Sequence, residues 1–417
     1  MSGFARHIIV LVLPVLLPAM AVAEDTRTQI FDPSFKTLKV QVEGDFFSPP
    51  VIMLGTDRRI TISFDEMGDD RSYLRYTLTH CDERWQPSGL LDSEMLDGFN
   101  EAEVTDYGFS ANTFRHYVNY HITIPGEGMR PLLSGNYLLR VYREDDMEVP
   151  VLQARFAISE ERVGVSGSVS TITDRGANDM WQQLSFEVHT GEYEVRDAYG
   201  DVTVVVEQNG VEQPQSLALK PIRVSPGSLV YEHSPGLVFP AGNEYRRFET
   251  VRTDYAGMHV DSNAYEDDGY TAILQTDYER ASRPYSYDRT QQGRFKIDEY
   301  NSTDPELGAD YVLTRFTLDF PRVMNGDVYV DGEFTHHLAD DSSRMTYNEA
   351  TGLYELTMLL KQGSYNYRYV LKGEDAGLPT ASPVEGDKYE TQNQYTVKVF
   401  HRVPGSRYTR LIGSATL

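Results

Sequence analysis

Short stretches in which apolar and polar residues alternate one by one recur along the whole chain. A period of two is typical of β-strands with one buried and one exposed face, because successive side chains point to opposite sides of a sheet. No long stretch repeats with the period of an amphipathic helix. The pattern therefore predicts an all-β protein built from β-sandwiches; its clearest strands are Tyr73–His80, Tyr117–Ile124, Val202–Glu207, Tyr354–Leu360 and Tyr395–Phe400.

Polar and charged stretches divide the predicted strands into three groups. The charged stretch Ser159–Arg162 is typical of a linker, and residues 280–302 are polar and tyrosine-rich with little periodicity. We therefore predict three consecutive immunoglobulin-like domains, at 24–160, 161–307 and 308–417. Within the last domain, Val328–Phe334 and Tyr365–Val370 resemble the immunoglobulin-like modules that bind glycogen and starch.

The first residues form an export signal. Arg6 precedes an apolar run from Ile8 to Met20, and Ala21–Ala23 supplies the small residues of a cleavage site. We predict a signal peptide at 1–23, cleaved near Ala23. The apolar run is too short to span a bilayer and no comparable run follows, so we expect no membrane insertion.

The charge balance narrows the choice of partners. The 417 residues include 63 acidic and 38 basic side chains, for a net charge of −25. Nucleic acids and anionic lipid surfaces are polyanions, so both are disfavoured as partners. The single cysteine, Cys81, has no cysteine to pair with inside the chain, so it is either a small buried apolar residue or a reactive thiol.

Residues that could carry chemistry lack the spacing that chemistry needs. His80 and Cys81 are adjacent, as are His336 and His337, and neighbours on a strand point to opposite faces. Ser166 lies in a Gly-x-Ser-Gly sequence that lacks the nucleophile elbow of hydrolases. The sequence therefore predicts no catalytic residues, no metal site, no cofactor and no small-molecule substrate.

Two acidic stretches are interpreted as solvated loops. Asp65–Asp70 and Glu266–Asp268 concentrate carboxylates but lack the spacing of a calcium-binding EF-hand loop. Arg246 and Arg247 follow one another in a predicted strand, so we expect one to face inward. A buried arginine needs carboxylate or carbonyl partners.

One segment, His80–Pro125, connects two predicted strands and concentrates rare residues. We interpret it as a long ordered connection held down by its aromatic residues, which are Trp85, Phe99, Tyr107, Phe109 and Phe114.

The order of short motifs along the chain resembles the plug protein family of the type IX secretion system. These motifs include His80–Cys81 with Trp85, Gly98–Phe99, Gly242–Phe248, Lys361–Tyr367, Tyr389–Tyr395 and Leu411–Gly413. The resemblance implies a set of signature residues with a structural role: His80, Cys81, Trp85, Ser88, Gly98, Phe99, Asn112, Asn243, Glu244, Arg246, Gln362 and Gly363.

The resemblance also implies a function. Members of this family are expected to be non-enzymatic periplasmic proteins that close the periplasmic mouth of the outer-membrane translocon barrel while cargo is absent. Two alternatives remain at this point: an exported carbohydrate-binding protein, suggested by the last domain, and a hydrolase built around Cys81.

Overall fold

The computed structural model describes residues 25–266, 269–373 and 378–417. The predicted signal peptide lies outside these residues. Strands dominate the described chain, and the prediction of an all-β, multi-sandwich fold is confirmed. None of the helices in the described residues is long and apolar enough to cross a membrane.

The first domain is a sandwich of two sheets. Sheet A has the strand order β1-β12-β11-β5-β7, with β3 added on β12, and sheet B has the order β2-β4-β9-β8. Their inner faces share one apolar core that includes Phe64, Tyr120, Tyr137 and Leu152. The elements are β1 Gln29–Ile30, β2 Phe35–Val42, β3 Val51–Met53, β4 Ile60–Met67, β5 Leu74–Cys81, α1 Asp92–Met95, β6 Leu96–Gly98, β7 Ala102–Glu103, β8 Asp106–Phe109, β9 Tyr117–Ile124, β10 Met129–Pro131, β11 Gly135–Arg143 and β12 Asp146–Ser159.

The second domain begins directly after β12. Sheet C has the order β13-β16-β20-β19 with β21 on β16, and β14 and β15 form a small hairpin. The elements are β13 Gly164–Ser170, β14 Ile172–Thr173, β15 Gly176–Ala177, β16 Trp181–His189, β17 Val202–Gln208, β18 Val211–Glu212, β19 Arg223–Ser225, β20 Ser228–Tyr231 and β21 Val238–Pro240, with 3₁₀ turns at Pro214–Ser216 and Pro235–Leu237.

The third domain is a sandwich of sheet E, β22-β31-β26 with β28 on β31, and sheet F, β23-β24-β27-β30-β29 with β25 on β27. Stacked aromatic rings of Phe248, Tyr365 and Phe295 fill its core. The elements are β22 Arg246–Glu249, β23 Val260–Glu266, β24 Gly269–Leu274, β25 Asp277–Tyr278, β26 Phe295–Ile297, α2 Pro305–Gly308, β27 Tyr311–Asp319, β28 Asp327–Asp331, a 3₁₀ turn Glu333–Thr335, β29 Thr346–Asn348, β30 Leu353–Lys361, β31 Gly363–Lys372 and α3 Ser382–Glu385.

The chain then returns to the second domain. The last strands, β32 Tyr395–His401 and β33 Arg410–Thr416, form sheet D in the order β18-β17-β32-β33. Tyr395, Val397 and Val399 share a core with Val204 and Val206 of β17, nearly two hundred residues earlier.

This return differs from the predicted division at 307/308. The strands of residues 246–297, assigned to the middle domain from the sequence, pair within the third sandwich, and residues 395–416 pair within the second. We infer a discontinuous second domain, 161–241 plus 393–417, into which the third domain, 242–392, is inserted. Hydrophobic alternation identifies each strand but does not show which distant strand it pairs with. The boundary between the second and third domains therefore could not be placed from the sequence.

Candidate functional site at the domain junctions

The signature segment His80–Ser88 lies where the first domain meets the second. His80 is buried, and its Nε2 bonds the carbonyl of Ser134 at 2.9 Å while its Nδ1 lies 2.8 Å from Ser88 Oγ. Burial lowers the pKa of His80. A neutral ring donates from Nε2 to the carbonyl and accepts from the serine at Nδ1, which satisfies both nitrogens. Tyr408, from the end of the chain, packs edge-on against this ring.

Trp85 anchors the same segment in the second domain. Its backbone has a left-handed φ of 62°, and its ring is 4% exposed. The indole Nε1 donates to Glu212 Oε1 at 2.6 Å, and the Arg155 guanidinium lies 4.2 Å from the ring centroid. Cys81 is fully buried against Trp85 and Leu138, as expected of a small apolar residue.

The first and third domains meet at a buried polar cluster on the outer face of sheet B. Lys361 Nζ donates to Asp65 Oδ2 at 2.7 Å, and the two side chains are 1% and 0% exposed. Tyr311 OH donates to the same oxygen at 2.7 Å, and Asn119 Nδ2 donates to Oδ1 at 2.7 Å. The Lys361 ammonium also lies 4.0 Å from the Tyr117 ring centroid.

Backbone contacts reinforce this junction. The carboxylate of Asp310 accepts from the amides of Phe114 and Arg115, at 2.6 and 3.1 Å. Tyr117 OH donates to the carbonyl of Ala309 at 2.8 Å, and within the third domain Lys361 Nζ donates to the carbonyl of Glu306 at 2.6 Å, which fixes the ammonium at the junction. The alternation of side chains along β9 puts Asn119 on the polar face of the strand, which would be expected to face solvent. The third domain covers that face instead.

The interpretation of Asp65–Asp70 as a solvated loop is wrong at its first two residues. Asp65 and Glu66 lie in β4 and are 0% and 6% exposed, whereas Gly68, Asp69 and Asp70 are exposed. Glu66 accepts hydrogen bonds from Ser72 and Tyr120. Each buried carboxylate is thus paired, as the low dielectric of the interior demands.

Gln362 and Gly363 complete the junction from the third-domain side. Gln362 Oε1 accepts from the Asp310 amide at 2.8 Å, and Gln362 Nε2 donates to the carbonyl of Thr250 at 3.2 Å. A Cβ on Gly363 would lie 2.2 Å from the carbonyl oxygen of Lys296, so the close strand contact there requires glycine.

Asn243 and Glu244 lie where the chain passes from the second domain into the third. Asn243 Nδ2 donates to the carbonyl of Glu385 at 2.7 Å. The buried carboxylate of Glu244 accepts from Tyr285 OH at 2.8 Å and from the amide of Gln392 at 3.1 Å. The outgoing and returning chain segments are therefore tied to each other.

Arg246 is the inward arginine, as expected, and Arg247 is more exposed. The Arg246 guanidinium bonds Asp277 at 2.6 Å and Glu385 at 3.0 Å. Burial by itself raises the pKa of Asp277, but the contact with His259, whose Nε2 lies 3.2 Å from the carboxylate, and the charge of Arg246 outweigh it and lower that pKa to about 2. Arg246 and Asp277 line a cavity of about 310 Å³, in which the carboxylates already pair the guanidinium.

The last three signature residues are exposed. Asn112 forms a left-handed turn with φ 62°, in the segment whose Ala111 and Phe114 amides donate to Leu307 and Asp310 of the third domain. Gly98 and Phe99 lie at the end of a small ribbon, and Phe99 is 82% exposed. The expectation that aromatic residues hold down the connection is correct for Trp85 and wrong for Phe99, which is 82% exposed. The other three are 36–50% exposed but make ring contacts: Tyr107 with Tyr120 and Phe109, and Phe114 with Tyr265 of the third domain.

The alternative of a carbohydrate-binding protein rests on the third domain. His336 and His337, which follow β28 there, both adopt left-handed backbone conformations, with φ of 52° and 54°, and His337 Nδ1 lies 3.0 Å from Asp331 Oδ1. The chain's two tryptophans, Trp85 and Trp181, lie in the first and second domains.

Comparison with known proteins connects this architecture to a family. Residues 35–160 match the family model described as the Type 9 secretion system plug protein 1st domain. The fold is similar to the 2.30 Å crystal structure of a hypothetical protein from Parabacteroides merdae ATCC 43184, with a TM-score of 0.91 and 36% sequence identity. The match covers 94% of this chain and 99% of that one. A search of curated proteins gives no match.

Proposed function

We propose that this chain, which belongs to the type IX secretion system plug protein family, is a non-enzymatic periplasmic plug that closes the periplasmic end of the outer-membrane translocon pore while cargo is absent. Family membership connects the chain to type IX secretion. The pore-closing role, the periplasmic location and the translocon barrel as partner are the parts that we propose.

The family match over the first domain carries this proposal. The geometry supports it, because a plug has to keep its shape against a wide opening. The first and third domains share the Asp65–Lys361 cluster, and Trp85 joins the first domain to the second. A body fixed by buried, paired charges resists bending, since separating the domains would expose or strand those charges.

The residues that could have supplied chemistry have structural roles. The Cys81 thiol is fully buried, so a substrate has no access to it. His80 uses both ring nitrogens in hydrogen bonds inside the first domain. These observations favour a binding protein over the alternative of a hydrolase built around Cys81.

Co-purification with the translocon barrel tests the partner. The barrel would be affinity-tagged and isolated from cells that have cargo and from cells in which cargo export is blocked. We expect this protein in the cargo-free complexes and less of it in the loaded ones. Failure to recover it in either state would reject the proposal.

A permeability assay tests pore closure separately. Cells that lack this protein should admit a large hydrophilic dye that intact outer membranes exclude, and the wild-type gene should restore the barrier. Complementation with Met324→Ser is a matched control, because Met324 is 79% exposed in a third-domain loop. Normal exclusion of the dye in the deletion strain would contradict a plugging role. Titration with glycogen, in which we expect no binding, checks the carbohydrate alternative.

A further inference from the structure

A two-stranded ribbon, β6 with β10, stands apart from the two sheets of the first domain. Leu96 pairs with Pro131, Asp97 with Arg130, and Gly98 with Met129. Paired residues in an antiparallel ribbon share a face. Leu96, Pro131 and Met129 are buried, so they form the inner face, and Asp97 and Arg130 are exposed on the outer face.

The outer face carries large apolar side chains on both sides of the charged pair. Phe99 directly follows β6 and Leu132 directly follows β10, so the two residues flank the Asp97–Arg130 pair at opposite ends of the ribbon. Phe99 is 82% exposed and Leu132 is 46% exposed. Leu91, just before the short helix that leads into the ribbon, is 66% exposed. Exposed apolar side chains grouped in this way are typical of interaction sites.

The ribbon is held rigidly, although its outer face is uncovered. A Cβ on Gly98 would lie 1.9 Å from the carbonyl oxygen of Gly128, and the Phe99 amide donates to that oxygen at 3.1 Å. The Asn100 side chain bonds both backbone groups of Leu78 in β5, at 2.8 and 2.9 Å. A preorganised surface loses little conformational entropy when a partner binds, so its apolar contacts contribute more fully to affinity.

The charges around the ribbon define the partner's chemistry. Three exposed acidic residues on or beside the ribbon, Asp92, Asp97 and Glu127, outnumber the one exposed arginine of its outer face, Arg130, on a chain with a net charge of −25. Two copies of this chain would repel each other, and so would an anionic lipid surface. A polypeptide surface with an apolar pocket and lysine or arginine at its rim would complement both the exposed apolar side chains of the ribbon and the acidic residues around them.

We propose that the outer face of the ribbon, with Phe99 as its central anchor, is the surface that docks on the periplasmic rim of the translocon. The inference rests on the proposed function and adds to it a location and a chemistry: an apolar pocket on the partner with basic residues around it. The side chain of Phe99 enters that pocket, and Asp97 and Glu127 face the basic rim.

Retention of full-length protein by the tagged, cargo-free translocon tests the surface. Phe99→Ser and Leu132→Ser should each weaken retention at least about tenfold, as expected for a buried apolar anchor. Met324→Ser, an equally exposed apolar residue in the third domain, should stay within about twofold of wild type. Asp97→Lys should also weaken retention relative to wild type, and the loss should be larger at low salt than at high salt, because salt screens the repulsion. Thermal melting of each purified variant shows that the fold is intact.

The outcomes separate this inference from the proposed function. Equal retention of wild type and Phe99→Ser would overturn the docking surface and leave the plug function standing. No retention of wild type in any cargo state would overturn both. Sedimentation of the purified protein tests whether a second copy of the chain binds this surface. Binding to phosphatidylethanolamine–phosphatidylglycerol vesicles tests whether a lipid surface does. A Phe99-dependent dimer or Phe99-dependent vesicle binding would overturn the assignment to the translocon.

Discussion

Replacing Asp65 by asparagine would leave the Lys361 ammonium buried without its carboxylate. The lysine is 1% exposed, and its remaining partners include the Glu306 carbonyl and the rings of Tyr117 and Tyr311, none of which carries a negative charge. Removing one partner of a buried ion pair destabilises a protein by about 3–5 kcal/mol, because the other charge stays desolvated. We expect Asp65→Asn to fall in that range.

Lys361→Met should destabilise less than Asp65→Asn. Without the lysine, the Asp65 carboxylate keeps the hydrogen bonds from Tyr311 and Asn119, and such bonds to a charged group contribute about 1.5–3 kcal/mol each. The double variant Asp65→Asn with Lys361→Met removes both charges. It should lose at most about 2 kcal/mol, because an uncharged, packed pair needs no compensation for desolvation.

Urea unfolding gives the free energies of unfolding of the wild type, both single variants and the double variant. These four values form a double-mutant cycle. Hydrogen exchange of the Phe114 and Arg115 amides, which bond Asp310 across the junction, reports opening of this interface specifically. The matched control is Lys398→Met, which breaks a buried Lys398–Glu207 pair inside the second domain and should leave those two amides protected. Additive single effects in the cycle would refute the reasoning, since they would show that the two charges do not depend on each other.

Three further predictions concern pH, the ribbon and the thiol. The hydrogen bond with Glu306 raises the pKa of His121 above 6.5 and lowers the pKa of Glu306 below 4.5. The His121 contribution to stability is complete below pH 6.5 and is lost as pH rises through the raised pKa, whereas the Glu306 contribution is complete above pH 4.5 and is lost as pH falls. Urea midpoints should therefore decline above pH 6.5 in wild type and not in His121→Gln; parallel profiles would contradict this. Gly98→Ala should lower the melting temperature and translocon retention, because its Cβ would meet a backbone carbonyl at 1.9 Å. Gly68→Ala, at a φ of +135° against +112° for Gly98 and with nothing within 4 Å, should retain translocon binding; equal loss in both variants would show that backbone strain alone is responsible. Cys81 should not react with a thiol reagent in the native protein and should react fully after unfolding; rapid native labelling would show that the site opens.

The strands of the fold follow directly from the sequence. The alternation in Tyr117–Ile124 identifies β9, with Val118, Tyr120 and Ile122 on its core side. The expectation that one of two adjacent arginines turns inward to carboxylates is confirmed by Arg246. These predictions succeed because side-chain period and the cost of an unpaired buried charge are local properties of a strand.

The local pattern of polar and apolar residues does not show where the domain boundary lies or whether the polar face of a strand is covered by another domain. Asp65 and Asn119 occupy the polar sides of β4 and β9, so periodicity assigns them to solvent, but the third domain covers them. Lys361 pairs with a carboxylate almost three hundred residues earlier. Such contacts depend on which sheet faces meet, which the pattern of one strand does not encode.

The β-strands, the sandwich class and the family motifs can be recognised from the sequence, because each depends on side-chain period or on local residue order. The tertiary structure was needed to show that the last strands of the chain complete the second domain. It also decided that Trp85 is a buried anchor while Phe99, in the same connection, points outward. An aromatic side chain is equally apolar in both places, and the neighbouring elements alone determine whether it is covered.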